Sequence, residues 1–236
     1  MIKNLILSIT FLCSFAIYGQ SSTEFFTKSD AFFKQYVKEG KIAYKAIHNA
    51  PEDLNNLLQL AKETNIPVAE ANTFRSFWIN TYNLLVIKGI IDNYPINSPL
   101  DKSGFFDKIK YNVGGKSITL NVIENDLLRG NFDDARIHFV LVCGALGCPP
   151  IINKAYTPEN LDALLTKQTT IALNNPEFIK VKSKKVQLSE IFKWYREDFG
   201  KTDAQVVQFV NKYRKEAITE RARISYYPYN WKLNKQ

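Results

Sequence analysis

The residues equipped for covalent chemistry are few, and they crowd into one stretch. "RIHFVLVCGALGCPP", Arg136 to Pro150, holds one of the chain's two histidines, His138, and two of its three cysteines, Cys143 and Cys148. A thiol hydrolase needs a thiolate, a base within hydrogen-bond reach and a group that orients the base. Cys148 and His138 can supply the first two, and Glu124, or an amide such as Asn80, the third. Read as a core strand, residues 136–143 put His138, Val140 and Val142 on one face and Ile137, Phe139, Leu141 and Cys143 on the other. His138 and Cys143 are then a poor pair. Gly144 and Gly147 bracket Ala145-Leu146 in a flexible turn, so Cys148 can reach either Cys143 or the His138 face. Pro149 and Pro150 remove two backbone donors, which argues against an oxyanion hole just after Cys148.

Each of these residues also has a purely structural reading. His138 can be a satisfied core histidine, Glu124 a helix-capping residue, and the two thiols a disulfide. Closing a loop of about six residues is worth roughly 2 kcal/mol, too little to decide the matter. Two cysteines and two histidines without ligand spacing make a closed metal site improbable, so no metal is expected. His48 is remote and reads as a surface loop residue. No Walker-type loop, dinucleotide fingerprint or Gly-x-Ser-x-Gly elbow occurs, and no cofactor is expected.

The elements that must position these groups follow from apolar spacing. Phe25, Phe26, Ser29, Phe32, Phe33, Tyr36 and Val37 fit a helix that Gly40 stops. Pro51 sits near the start of a second helix, with Leu54, Leu57, Leu58 and Ala61 on one face. From Phe74 to Ile91, "FRSFWINTYNLLVIKGII" is apolar on nearly every side and should be a central, buried helix. Asn80 and Asn83 share a stripe on it and either brace a neighbouring loop or face a polar cleft. With Trp78 they are the candidate substrate-binding residues.

Further on, Gly114-Gly115 between "DKIKYNV" and "KSITL" marks a hairpin. "NVIENDLL" follows as a short helix with Asn121 as N-cap and Glu124 at N3. Thr157-Pro158 opens a helix to about Leu173, and "FIKV" with "KVQL" makes a second hairpin. Ser189 caps "EIFKWYREDF", Gly200 closes it, and Asp203 starts a helix to about Ala222. "ISYYPYNWKLN" is an aromatic tail that docks on the body. The expected fold is α+β: a single domain with N-terminal helices and a small antiparallel-rich sheet packed on the central buried helix.

Composition bounds the rest. The chain has 236 residues, 45% hydrophobic, with 16 Phe and 12 Tyr, enough for one packed core. Met1 to Gln20 carries one Lys, an apolar run from Leu5 to Ile17 and a small-residue exit, as a secretory signal does. That run is shorter than the ~20 residues a membrane span needs, and Thr10, Phe11 and Leu12 before Cys13 do not form a lipoprotein box. Residues 1–19 therefore read as a signal peptide, and the processed protein as exported, periplasmic or secreted, with no membrane span. Processing removes Lys3 and Cys13, so the formal charge of +8 falls by one and Cys143 and Cys148 remain the only thiols in an oxidising compartment. The "KVKSKK" cluster at Lys180 to Lys185 reads as a solvated hairpin edge, and nucleic acid is not an expected partner. Oligomeric state stays open.

"FWINTYNLLVIKGI", "YNVGGKSITLNVIEN", "RIHFVLVCGALGCPP", "AYTPENLDALL", "VQLSEIFKWYREDFG" and "ISYYPYNWKLN" together resemble the successive blocks of the domain-of-unknown-function 547 family, from about Thr73 to Asn234. The resemblance implies a family core over residues 73–236, with a helical segment over residues 20–72 packed against it. It implies an exported protein whose biochemical role is not established. The family block after the hairpin often reads Ile-Glu-His, whereas Ile123-Glu124-Asn125 stands here, which weakens a metal or proton-relay role at that position. A helix followed by a sheet bearing a histidine is similar to papain- and transglutaminase-like thiol folds, an analogy that assigns no chemistry. Two functions are open: a cell-envelope module binding a peptide or glycan in an aromatic cleft, or a cysteine-dependent hydrolase or acyltransferase using Cys148, His138 and Glu124. Whether the protein is an enzyme is undecided at this point.

Overall fold

In the computed structural model, which describes residues 22–182 and 184–236, the first apolar run is helical over residues 22–36 (α1). The leader read into Met1–Gly19, with Cys13 and the expected cleavage point, lies outside the described residues. Phe25, Phe32 and Phe33 of α1 are buried. The chain then turns through a small hairpin, β1 (Val37–Lys38) and β2 (Lys41–Ile42). Glu39 (φ 52°) and Gly40 (φ 75°) take the left-handed conformation that a two-residue hairpin turn requires. The short helix α2 (Tyr44–Asn49), absent from the sequence reading, buries Tyr44 and Ile47, and it places His48 on a helix rather than a loop.

Helix α3 (Glu52–Glu63) starts after Pro51 and carries Glu52 and Asp53 in its first turn, where the helix dipole favours acids. Helix α4 (Ala71–Asp92) is the axis of the fold, about 33 Å long. Phe77, Ile79, Leu84, Ile87 and Ile90 point to different sides of it and all are fully buried. Helices α2 and α3 and the helical stretch after residue 120 cover α4, and Phe25 of α1 packs on Phe77 at 4.9 Å between ring centroids. The N-terminal helices and the later elements thus share one hydrophobic core. Among the described residues no helix is long and apolar enough to cross a membrane.

Strands β3 (Tyr111–Val113) and β4 (Lys116–Ile118) form the expected hairpin, with Gly114 and Gly115 both at positive φ. Helix α5 (Leu120–Val122) follows and widens at once into a π-helical stretch, Ile123–Arg129. Its N-cap is Thr119, whose hydroxyl accepts from Val122 N–H at 3.2 Å, and not Asn121. Thr119 keeps the extended backbone of the preceding strand while Asn121 is already helical. That shift of two residues frees Glu124 from capping.

The stretch expected to be a core strand is instead a 3-10 helix, Ala135–Phe139, followed by irregular extended chain. Asp134 caps it, accepting from Arg136 N–H at 3.1 Å. No neighbouring strand satisfies the extended part. The side-chain amide of Asn83 does so, donating to Val140 C=O at 3.0 Å and accepting from Val142 N–H at 2.9 Å. The alternation that placed His138 and Cys143 on opposite faces therefore does not apply.

Helix α6 (Leu161–Asn174) begins three residues after Pro158, which sits in the preceding turn. Strands β5 (Ile179–Lys182) and β6 (Lys185–Ser189) make the second hairpin. The next apolar run splits at Tyr195 into α7 (Ile191–Trp194) and α8 (Arg196–Phe199), ended by Gly200 at φ 143°. Helix α9 (Asp203–Asn211) stops well before Ala222, because the Asn211 side chain bonds both Ile218 N–H and Ile218 C=O and turns the chain. The tail then adds β7 (Arg223–Tyr227) parallel to β6. The class is α+β as expected, but the three-stranded sheet rests on α6 and α7, while α4 is wrapped mainly by helices.

Beyond β7 the tail runs back along the loop between the cysteines. Leu146 N–H donates to Lys232 C=O and Gly147 N–H to Asn230 C=O, each at 2.8 Å, and Asn234 N–H donates to Gly144 C=O at 3.0 Å. The same tail continues to the first hairpin, where Ile42 N–H donates to Asn234 C=O at 2.9 Å.

Candidate functional site

Between the 123–148 region, α7–α8 and the tail lies a cleft of about 320 Å³, within the range of small-ligand sites. Glu124, His138, Cys143 and Cys148 all line it. The three residues expected to carry chemistry, Cys148, His138 and Glu124, are thus brought to one cavity.

Glu124 projects from the π-helical stretch, a distortion that re-aims side chains and recurs at functional sites. Tyr82, from the middle of α4, donates its hydroxyl to Glu124 Oε2 at 3.3 Å, and the Tyr195 hydroxyl bonds Glu124 as well. Burial, reinforced by the Glu124 charge, pushes both phenols well above the ordinary tyrosine range, so they stay neutral donors.

His138 is buried, with its ring stacked on Tyr195 at 4.1 Å and packed against Phe199 at 5.3 Å. Its Nε2 lies 2.6 Å from Asp198 Oδ2, and its Nδ1 lies 3.9 Å from Glu124 Oε1, an ion-pair distance rather than a hydrogen bond. Asp198, on α8, is gripped at both oxygens by Arg129, at 2.6 and 2.7 Å. Burial opposes ionisation of Asp198, but its bonds to Arg129 and His138 outweigh that and hold the carboxyl well below the usual carboxylate range. An ionised carboxylate only accepts, so Nε2 carries the His138 proton and Nδ1 turns toward Glu124. Asn125, standing where the resembled family often has histidine, bonds Arg129 and so supports this row from behind.

Cys143 and Cys148 are joined as a disulfide, with Cα atoms 6.5 Å apart. Cys148 Sγ accepts from Cys143 N–H at 3.0 Å and from the Tyr229 hydroxyl at 3.0 Å, and that hydroxyl also lies 3.3 Å from Cys143 Sγ. Burial pushes the Tyr229 phenol up, so this donor too stays neutral. Gly144 at φ 82° makes the loop possible, and a Cβ there would lie 2.6 Å from Ile90 Cδ1. The mouth of the cleft is aromatic. Trp194, 45% exposed, stacks on Trp231 at 5.8 Å, and both rings sit 4.8 Å from Tyr229.

The expected substrate-binding residues are elsewhere. Asn80 is saturated in the core, donating to Ser76 C=O and Tyr156 C=O and accepting from Tyr156 N–H. Asn83 is committed to residues 140 and 142, and Trp78 is buried between Phe74, Phe77 and Gly114. A helix buried on all sides offers its amides to backbone, not to ligands. Tyr82, on the same helix, is the residue that reaches the cleft. The sequence reading also missed Asp198, Arg129, Tyr195 and Tyr229. The tail's aromatic richness was a usable signal for Tyr229 and Trp231, whereas nothing local marks Asp198, 60 positions from its histidine. Among the described residues no cluster of three metal-ligating side chains occurs.

Residues 69–171 match the model of a family described as "Protein of unknown function, DUF547", and that stretch belongs to the family. It contains Glu124, Arg129, His138 and both cysteines; Asp198, Trp194, Tyr229 and Trp231 lie beyond it, as do the last two blocks of the resemblance. No curated protein and no solved structure matches the chain.

Proposed function

We propose that this DUF547-containing chain is an exported binding module of the cell envelope whose cleft takes a short glycan. The observation that carries this reading is the lining: a solvent-reachable wall of Trp194, Trp231 and Tyr229 on the same cavity as the Glu124 carboxylate. Aromatic faces pack on the C–H faces of sugar rings, and an ionised carboxylate accepts from their hydroxyls. A peptide ligand has weaker support, because peptides dock through backbone hydrogen bonds and the nearby tail backbone is already paired with the cysteine loop. Support for export comes from the signal-like composition of Met1 to Gln20, and intact mass of the exported protein should start at or near Gln20.

The second reading, a cysteine-dependent hydrolase or acyltransferase, is favoured by Cys148, His138 and Glu124 lining one cleft with Asp198 orienting the histidine. Against it, the Cys148 sulfur is bonded to Cys143 and both ring nitrogens of His138 face carboxylates. The test is a titration of the full chain with oligosaccharides and, in parallel, short peptides, followed by tryptophan fluorescence. Saturable binding of an oligosaccharide, weakened about tenfold by Trp194→Ala, is expected. A response to peptides alone would replace the glycan reading, and thiol-dependent turnover of an acyl substrate would replace the binding module.

A further inference from the structure

We infer that the Cys143–Cys148 disulfide is a thiol–disulfide exchange site, at which an external dithiol attacks Cys143 and Cys148 departs. The inference holds whatever ligand the cleft takes.

A disulfide kept for stability alone would be buried and needed. This one lines the cavity at Cys143, which is half-buried, while Cys148 is the shielded partner at 8% exposure. The loop it closes is already held without it. Backbone bonds from Leu146 and Gly147 to the tail, from Asn234 to Gly144, and from Cys148 N–H to Ala145 C=O fix the loop at both ends and its middle. Reduction therefore leaves the fold in place.

The two sulfurs are also unequal in a way that sets a direction. Cys148 Sγ receives Cys143 N–H and the Tyr229 hydroxyl, both at 3.0 Å, while Cys143 Sγ has only the longer approach of Tyr229 at 3.3 Å. Donors aimed at a sulfur stabilise the thiolate that forms there, and a better-stabilised thiolate leaves faster. The accessible sulfur is the one attacked, and the donor-rich one is the leaving group.

In the first step a thiolate of the dithiol bonds to Cys143 Sγ. The sulfur–sulfur bond breaks and its electron pair goes to Cys148 Sγ, which becomes a thiolate. The second sulfur of the reductant, once deprotonated, then attacks the mixed disulfide and releases Cys143 as a thiolate. The two protons of the dithiol end on the two cysteines. The reductant leaves as a disulfide, having given two electrons to the protein pair.

The experiment equilibrates the full chain in mixtures of reduced and oxidised dithiothreitol and counts free thiols by alkylation and intact mass, with near-ultraviolet dichroism recorded on the same samples. In parallel, a low-molecular-weight monothiol in excess traps the first intermediate, and peptide mapping locates the adduct. Reduction with the dichroism signal retained is expected, with the adduct on Cys143. Tyr229→Phe, which keeps the ring, should slow exchange by about tenfold or more, the effect of one hydrogen bond to a charged sulfur. A disulfide that yields only when the dichroism signal is lost would overturn the inference. An adduct on Cys148, or a Tyr229→Phe protein exchanging at the parent rate, would overturn the direction assigned to it.

Discussion

Replacing Asn83 with Ala should damage the fold out of proportion to the few atoms removed. The Asn83 amide is 2% exposed and is the partner of both Val140 C=O and Val142 N–H. Deleting it orphans two buried backbone groups, each costing about 1–3 kcal/mol when left unpaired. The small cavity is too tight to admit two well-bonded waters, so its lost contacts add to that cost. The expected loss is about 3–5 kcal/mol, a large fraction of the stability of an ordinary domain. Urea unfolding followed by dichroism measures it. With a slope of about 3 kcal/mol/M, the midpoint should fall by roughly 1–1.5 M at unchanged slope. If the midpoint moves by less than about 0.3 M, residues 140–143 find their partners elsewhere, and the account of that segment as held by a helix side chain is wrong.

Asp198→Asn should cost about 2–3 kcal/mol at neutral pH through loss of two charge-assisted bonds to Arg129. The folded Asp198 carboxyl lies below its unfolded value near 3.9, so its contribution is full above that pH and is lost as pH falls toward the folded value. Thermal midpoints of the parent should therefore drop more steeply below about pH 4 than those of Asp198→Asn. Gly144→Ala should destabilise by about 2–4 kcal/mol, since φ 82° and the 2.6 Å approach to Ile90 penalise a Cβ together; differential scanning fluorimetry would register it. Trp194→Ala should leave stability within about 0.5 kcal/mol, because the ring is 45% exposed, while weakening glycan binding in the fluorescence titration.

What the sequence made legible was governed by local physics. The run from Phe74 to Ile91 lacks a polar face, and α4 is accordingly wrapped by other elements. Gly114-Gly115 supplies the two positive φ values of the β3–β4 turn. The errors arise where tertiary partners override local pattern. An apolar, β-rich run from Arg136 to Cys143 reads as strand, but strand needs a ladder, and Asp134 and Asn83 provide different partners. Thr119 and Asn121 are both competent caps, and only the end of β4 decides between them. The clustering of His138, Cys148 and Glu124 was readable because they lie within one stretch of chain. Asp198 and Tyr229 were not, because contacts over long separations leave no local trace.

The course of the tail also sets an order of events during synthesis. Tyr229 follows Cys148 by 81 positions, which at about 5–20 residues per second is roughly 4–16 s of elongation. Through that interval the two sulfurs exist without the hydroxyl and the backbone brace that later cover them. Whether they pair, and with what, is therefore settled by the surroundings of a nascent chain before there is any cleft to shield them. The finished site inherits a redox state chosen earlier, at the hands of whatever oxidant or isomerase met the growing polypeptide first.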